Sequence, residues 1–156
     1  MITNEENQLL TQVERGKPAG ELLRRYWQPV ALSEELPAGG APVAVRIFGE
    51  DLVLFRDDKG RPGLLGIHCS HRGTDLSFGR VEDGGLRCLY HGWLYDVAGH
   101  CLEQPGEPGC GEHRDAIRHP AYPCREKGGL IFTYMALASR RCLPITNFST
   151  PRPTIG

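Results

Sequence analysis

Two Cys–His pairs constrain this chain more than anything else in it. Cys69-Ser70-His71 is followed, after sixteen intervening residues, by Cys88-Leu89-Tyr90-His91. A thiolate and an imidazole two or three positions apart reach one metal centre only where the backbone turns sharply. Each pair runs straight into a glycine, Gly73 or Gly92. Glycine tolerates positive φ and lets backbone N–H groups approach sulfur. The chain is therefore expected to raise two tight loops, each from a strand end, and to bring them together.

The rest of the composition suits a strand scaffold. The 156 residues predict one domain, long enough to bury a core without disulfides. Twenty Gly and twelve Pro imply many turns, hence many short strands. A formal net charge of −1 offers nothing to nucleic acid or an anionic membrane. The amino terminus has no basic start and no apolar run, unlike a secretion signal. The longest mostly apolar stretch, Leu130 to Ala138, is far short of the roughly 20 residues a spanning helix needs. A cytoplasmic location is expected, where six Cys read as metal ligands or free thiols.

Leu9, Leu10 and Val13 recur at helical spacing, predicting a helix over 3–15 with Thr3 or Asn4 as cap and Gly16 as stop. A second short helix is expected over Ala19–Tyr26, closed by Pro29. Strands then follow at 43–47, 52–55, 64–67, 86–88, 93–97, 122–126 and 130–135. Asp57-Asp58-Lys59-Gly60 makes one hairpin turn and Lys127-Gly128-Gly129 another. Residues 104–120, with three Pro and three Gly, read as a long surface loop.

Two Cys and two His admit two metal readings. One is tetrahedral structural zinc. The other is a [2Fe–2S] centre with both Cys on one iron and both His on the other. Zinc sites of this composition usually pair Cys with Cys and His with His along the chain. Here each loop donates one of each, which suits two irons gripped between two loops.

Cys69-Ser70-His71-Arg72-Gly73 and Cys88-Leu89-Tyr90-His91-Gly92-Trp93 resemble the signature of Rieske iron–sulfur domains, in particular those of ring-hydroxylating oxygenase large subunits of the phthalate-dioxygenase-like branch. Leu22-Leu23-Arg24-Arg25-Tyr26-Trp27-Gln28-Pro29-Val30 and Ala121-Tyr122-Pro123-Cys124 agree with it. The resemblance covers about residues 1–135. It implies an all-β fold: a Rieske-type antiparallel β-sandwich of small sheets with two cluster-binding loops, preceded by short helices. The expected organisation is a helical lead-in over 1–25, the Rieske domain over 26–135, and an irregular tail over 136–156.

The same resemblance implies one Rieske-type [2Fe–2S] cluster per chain, held by Cys69 and Cys88 on a buried iron and by His71 and His91 on an outer one. Arg72, Gly73, Tyr90, Gly92 and Trp93 are expected around these ligands, with Trp93 covering one side. High-potential Rieske proteins carry an extra Cys in each loop, joined as a disulfide. Neither loop has one here, and Ser70 stands where this branch commonly has Pro. A potential near the low end of the Rieske range follows, about −150 mV.

The function implied is electron transfer within an aromatic-ring-hydroxylating dioxygenase or monooxygenase. A reductase or ferredoxin is the expected donor and a mononuclear iron domain the acceptor, in a family whose full-length members form homotrimers. That iron domain needs two His and a carboxylate, and no His follows residue 119. This polypeptide is thus expected to carry an electron without hydroxylating a ring alone. The alternative is a free-standing Rieske ferredoxin, although such ferredoxins usually lack a helical lead-in. A zinc-stabilised binding module is the third reading.

The remaining candidates read plainly. His68, His100, His113 and His119 are expected at the surface or in loops. His113, Asp115 and His119 can be drawn as an iron triad but lie in or beside the Pro/Gly-rich loop. Cys101, Cys110, Cys124 and Cys142 have no matching partners and read as free thiols. The resemblance stops after Thr133-Tyr134-Met135. Codons exist for the tail whose shift by one nucleotide encodes an acidic peptide like the family's continuation, so the tail is read as out of frame.

Overall fold

The computed structural model describes residues 2–107 and 114–136. His113, Cys110, Cys142 and nearly all of the expected tail lie outside the described residues. The chain opens with α1 (Asn4–Thr11) and α2 (Pro18–Leu23). The strands follow: β1 (Trp27–Leu32), β2 (Val43–Ile47), β3 (Glu50–Arg56), β4 (Pro62–Gly66), β5 (Arg80–Glu82), β6 (Gly85–Arg87), β7 (Leu94–Tyr95), β8 (Cys101–Glu103), β9 (Ala121–Tyr122), β10 (Cys124–Lys127) and β11 (Leu130–Tyr134).

They form three antiparallel sheets, ordered β1-β11-β10, β2-β3-β4-β9 and β5-β6-β7-β8. The second sheet is the middle layer, and β3 shows why. Its run Leu52-Val53-Leu54-Phe55 is apolar on both faces, as a strand covered on both sides requires. Leu52 and Leu54 pack with Leu36, Leu64, Ile131 and Met135 toward the first sheet. Val53 and Phe55 pack with Leu65, Leu76, Leu86, Trp93 and Tyr95 toward the third. Cys69 and Cys88 belong to that second core, so both expected thiol ligands rest on the protein's hydrophobic interior.

Thr3 caps α1 through a capping box with Glu6, but the helix stops at Thr11, before the expected Gly16. The second helix ends at Leu23. Pro29 does not close it but lies within β1, whose register shifts between Pro29 and Ala31. An edge strand with a bulge tolerates a residue that lacks an N–H. The expected strand over 122–126 is two strands broken at Pro123. Tyr122 pairs with β4, and Cys124 pairs with β11. Strands β1, β5 and β8 go beyond the sequence expectation: β5 and β8, at three residues each, carry too little periodicity to be seen alone, and β1 shows no strict apolar alternation and carries Pro29 within it. Residues 104–120 are not wholly at the surface, because Gln104 and His119 are buried.

The helical lead-in is fastened by charge. Arg24 is 3% exposed; it donates to the Phe48 carbonyl at 3.0 Å and pairs with Glu50. Glu50 also receives Arg15 at 3.1 Å and the Tyr122 hydroxyl. Burial by itself would raise the Glu50 pKa; these donors and the Arg24 charge outweigh it and hold the carboxyl below its usual range. No described helix is long and apolar enough to cross a membrane.

Candidate metal centre

The two Cys–His segments fold as near-copies of each other. In the first, Cys69 N–H donates to the Thr74 carbonyl at 2.9 Å and Gly73 N–H returns to the Cys69 carbonyl at 2.8 Å. In the second, Cys88 N–H donates to Trp93 at 2.8 Å and Gly92 N–H returns to Cys88 at 3.0 Å. The closing glycines have φ of +72° and +75°. Nothing lies within 4 Å of a Cβ added at Gly73, so the backbone conformation itself selects glycine there.

This matched geometry sorts the donors by type. Cys69 and Cys88 are buried at 4% and 3% exposure and are electrostatic neighbours. The rings of His71 and His91 meet edge-on, with centroids 4.5 Å apart, and are only partly buried. Thiol thus sits beside thiol on the core side and imidazole beside imidazole on the outer side, as two adjacent metal atoms require.

Two buried atoms here lack a protein partner. His71 Nδ1 and Trp93 Nε1 are buried without a hydrogen bond. An orphaned buried ring nitrogen is costly unless something in the site binds it. His71 Nε2 instead faces Glu107 at 3.8 Å, leaving Nδ1 as the inward donor. Burial pushes the Cys69 thiol up, and Cys88 pushes it further, against the Tyr95 hydroxyl and the His71 backbone. Two thiolates in this core need a cation between them. Loss of hydration, with His71 and Arg72 nearby, draws His91 below the usual imidazole range, favouring the neutral form that ligates metal. The donor set fits a two-iron cluster.

The surrounding residues are placed as follows. Trp93 is buried and stacks on His71 at 4.7 Å, with only 3° between planes. Tyr90 is exposed, its ring 3.8 Å from that of His91. Arg72 is exposed and acts on His91 by charge. A Cβ at Gly92 would meet Pro105 at 3.2 Å.

Three supporting residues escape a motif-based reading. Tyr95 is fully buried with its hydroxyl 3.3 Å from Cys69 Sγ. Burial first, and then that hydrogen bond, raise its pKa far enough to keep it a protonated donor. Arg87 donates to the Gly92 carbonyl at 2.9 Å and pairs with Glu82, Asp83 and Glu103. His119, expected at the surface, is 3% exposed and hydrogen-bonded on both ring nitrogens. It therefore takes no part in the triad drawn with His113 and Asp115. Its signal was not in its own neighbourhood, because its partners lie about fifty residues away. His68 and His100 are exposed as expected, and Cys101 and Cys124 are free thiols.

Comparison with known proteins follows the same lines. The model of the Rieske [2Fe-2S] domain family matches residues 26–123. The chain is 59% identical over 126 residues to the phenoxybenzoate dioxygenase subunit alpha of Ectopseudomonas oleovorans, covering 81% of this chain and 30% of that protein. It is 48% identical over 136 residues to the phthalate 4,5-dioxygenase oxygenase subunit of Pseudomonas putida, covering 86% and 31%. The crystal structure of apo dicamba monooxygenase superposes with a TM-score of 0.65 at 32% identity, over 72% of this chain and 34% of that one. The chain thus spans about a third of the length of these relatives. The family match over residues 26–123, the identities to these relatives and the sheet architecture lead to one assignment: the chain belongs to the Rieske [2Fe–2S] domain family, whose cofactor is a Rieske-type [2Fe–2S] cluster.

Proposed function

We propose that this chain transfers electrons as the Rieske part of an aromatic-ring-hydroxylating oxygenase, with Cys69, Cys88, His71 and His91 as the cluster ligands. The observation that carries this reading is the sorting of donors, thiols together in the core and imidazoles together at 4.5 Å toward the surface. The bound cluster supplies reversible one-electron chemistry.

The protein's own residues do the rest. Cys69 and Cys88 hold the inner iron within the core shared by Phe55, Leu65 and Leu86. His71 and His91, both partly exposed, would hold the outer iron through their ring nitrogens. Trp93 lies flat on His71 and keeps water from that side. Tyr95 donates to Cys69 sulfur, which favours the more negative, reduced state. Gly73 and Gly92 turn the loops, and Arg72 and Tyr90 flank His91.

A reductase or ferredoxin is the donor in this reading. The acceptor is the mononuclear iron of an oxygenase domain, on a neighbouring subunit of a homotrimer in the whole protein. Domain limits at 26 and 135, with the helical lead-in before them, belong to the same proposal.

The test is anaerobic purification after expression with iron and sulfide supply. We expect a red-brown protein with two irons and two sulfides per chain and a Rieske-type EPR signal on reduction. Cys69→Ser and His91→Ala abolish the signal while Tyr90→Ala retains it. A colourless protein holding stoichiometric zinc overturns the reading.

A further inference from the structure

We infer that His119 is a positioning residue for the cluster: it braces Tyr95 and the first loop together, and so governs the hydrogen bond that Tyr95 gives to Cys69. The inference rests on the electron-transfer reading above.

His119 is 3% exposed and joins three parts of the fold. Its Nε2 lies 2.8 Å from the Gly66 carbonyl at the end of β4. A carbonyl only accepts, so Nε2 carries the hydrogen. In the neutral ring Nδ1 is then an acceptor, and the Ser70 hydroxyl, 2.7 Å away, donates to it. Burial, opposed by the Gly66 bond, lowers the His119 pKa and agrees with a neutral ring. Its own N–H donates to the Gly99 carbonyl at 2.8 Å. The backbone is thereby pinned to the β7–β8 turn, while the side chain is pinned to β4 and to the first loop.

The ring face completes the brace. It stacks on Tyr95 with centroids 4.5 Å apart and 29° between planes. Tyr95 carries the hydroxyl 3.3 Å from Cys69 Sγ, and Ser70 is the chain neighbour of that cysteine. One buried imidazole therefore controls the donor from above and the ligand's loop from the side. A donor held at a fixed distance from sulfur raises the reduction potential; a donor free to drift raises it less.

The experiment measures midpoint potential, EPR signature and thermal unfolding of the cluster-loaded chain and its variants. His119→Phe keeps the stacked ring and removes both hydrogen bonds; we expect a lower potential with the Rieske EPR signal retained. Tyr95→Phe lowers it as well, and the double variant matches Tyr95→Phe alone, because His119 acts through that hydroxyl. His119→Gln, which restores a donor to Gly66, recovers part of the shift. Ser70→Ala, a milder change at the surface of the loop, gives a smaller shift in the same direction. Wild-type potential in both His119→Phe and Ser70→Ala overturns this inference alone. So does a double variant whose shift is the full sum of the singles, since a structural role elsewhere predicts independence. A wild-type chain that takes up no cluster overturns the electron-transfer reading, and this inference with it.

Discussion

Arg87 donates Nη1–H to the carbonyl of Gly92 at 2.9 Å, fastening the turning glycine of the second loop to the strand that leads into it. The same guanidinium spreads its remaining donors over Glu82, Asp83 at 3.0 Å and Glu103 at 2.8 Å. Its side chain is only 12% exposed, while its carboxylate partners are more open. The value of Arg87 therefore lies in holding the loop more than in ion pairing. Arg87→Met is expected to cost about 1–3 kcal/mol in urea unfolding. Arg87→Lys recovers less than half of it, because an ammonium lacks the fork. Stability within about 0.5 kcal/mol of wild type would refute this.

Leu54 is fully buried in the core between the first and second sheets. Leu54→Ala is expected to cost about 2–5 kcal/mol through lost burial and a residual cavity. Val43, directly opposite it on β2, is 43% exposed. Val43→Ala should change stability by no more than about 0.5 kcal/mol. Chemical denaturation of the pair separates burial from β-propensity.

Gly99 and Gly60 share a φ of +80° but not their surroundings. A Cβ at Gly99 would stand 2.2 Å from the His119 carbonyl oxygen, whereas nothing lies within 4 Å at Gly60. Gly60→Ala is expected to cost about 1–2 kcal/mol, the backbone penalty alone. Gly99→Ala must also displace the 119 segment, so it should lower the melting temperature several-fold more and loosen His119. Equal melting temperatures would contradict the packing described.

Glu50 predicts an acid-sensitive lead-in. Its carboxyl is held below its ordinary 4.5, since hydrogen bonds from Tyr122 and Arg15 and the Arg24 charge overcome the burial that opposes them. A depressed carboxylate contributes stability that is present above its unfolded pKa and is lost as pH falls through the folded one. Stability should therefore decline as pH drops below 4.5, and Glu50→Gln should flatten that part of the profile while lowering stability at neutral pH. An unchanged acid limb in Glu50→Gln, followed by circular dichroism, would remove Glu50 as the cause.

Local chemistry alone determined much of this protein. The two Cys–His pairs that the fold brings together are legible because residue type and spacing are properties of a few adjacent residues. Gly73 and Gly92 announce the turns for the same reason, and the unbroken run 52–55 announces a strand, whose cover on both faces came from the sheets packed against it. What the tertiary structure decided depends on partners far apart in the chain. Pro123 divides one apparent strand between two sheets, and Pro29 enters a bulged edge strand when β11 lies beside it. His119 looks like a loop histidine until Gly66, Ser70 and Tyr95 close around it. Burial and hydrogen-bond partnership are set by which segments meet, and no short window of residues records that.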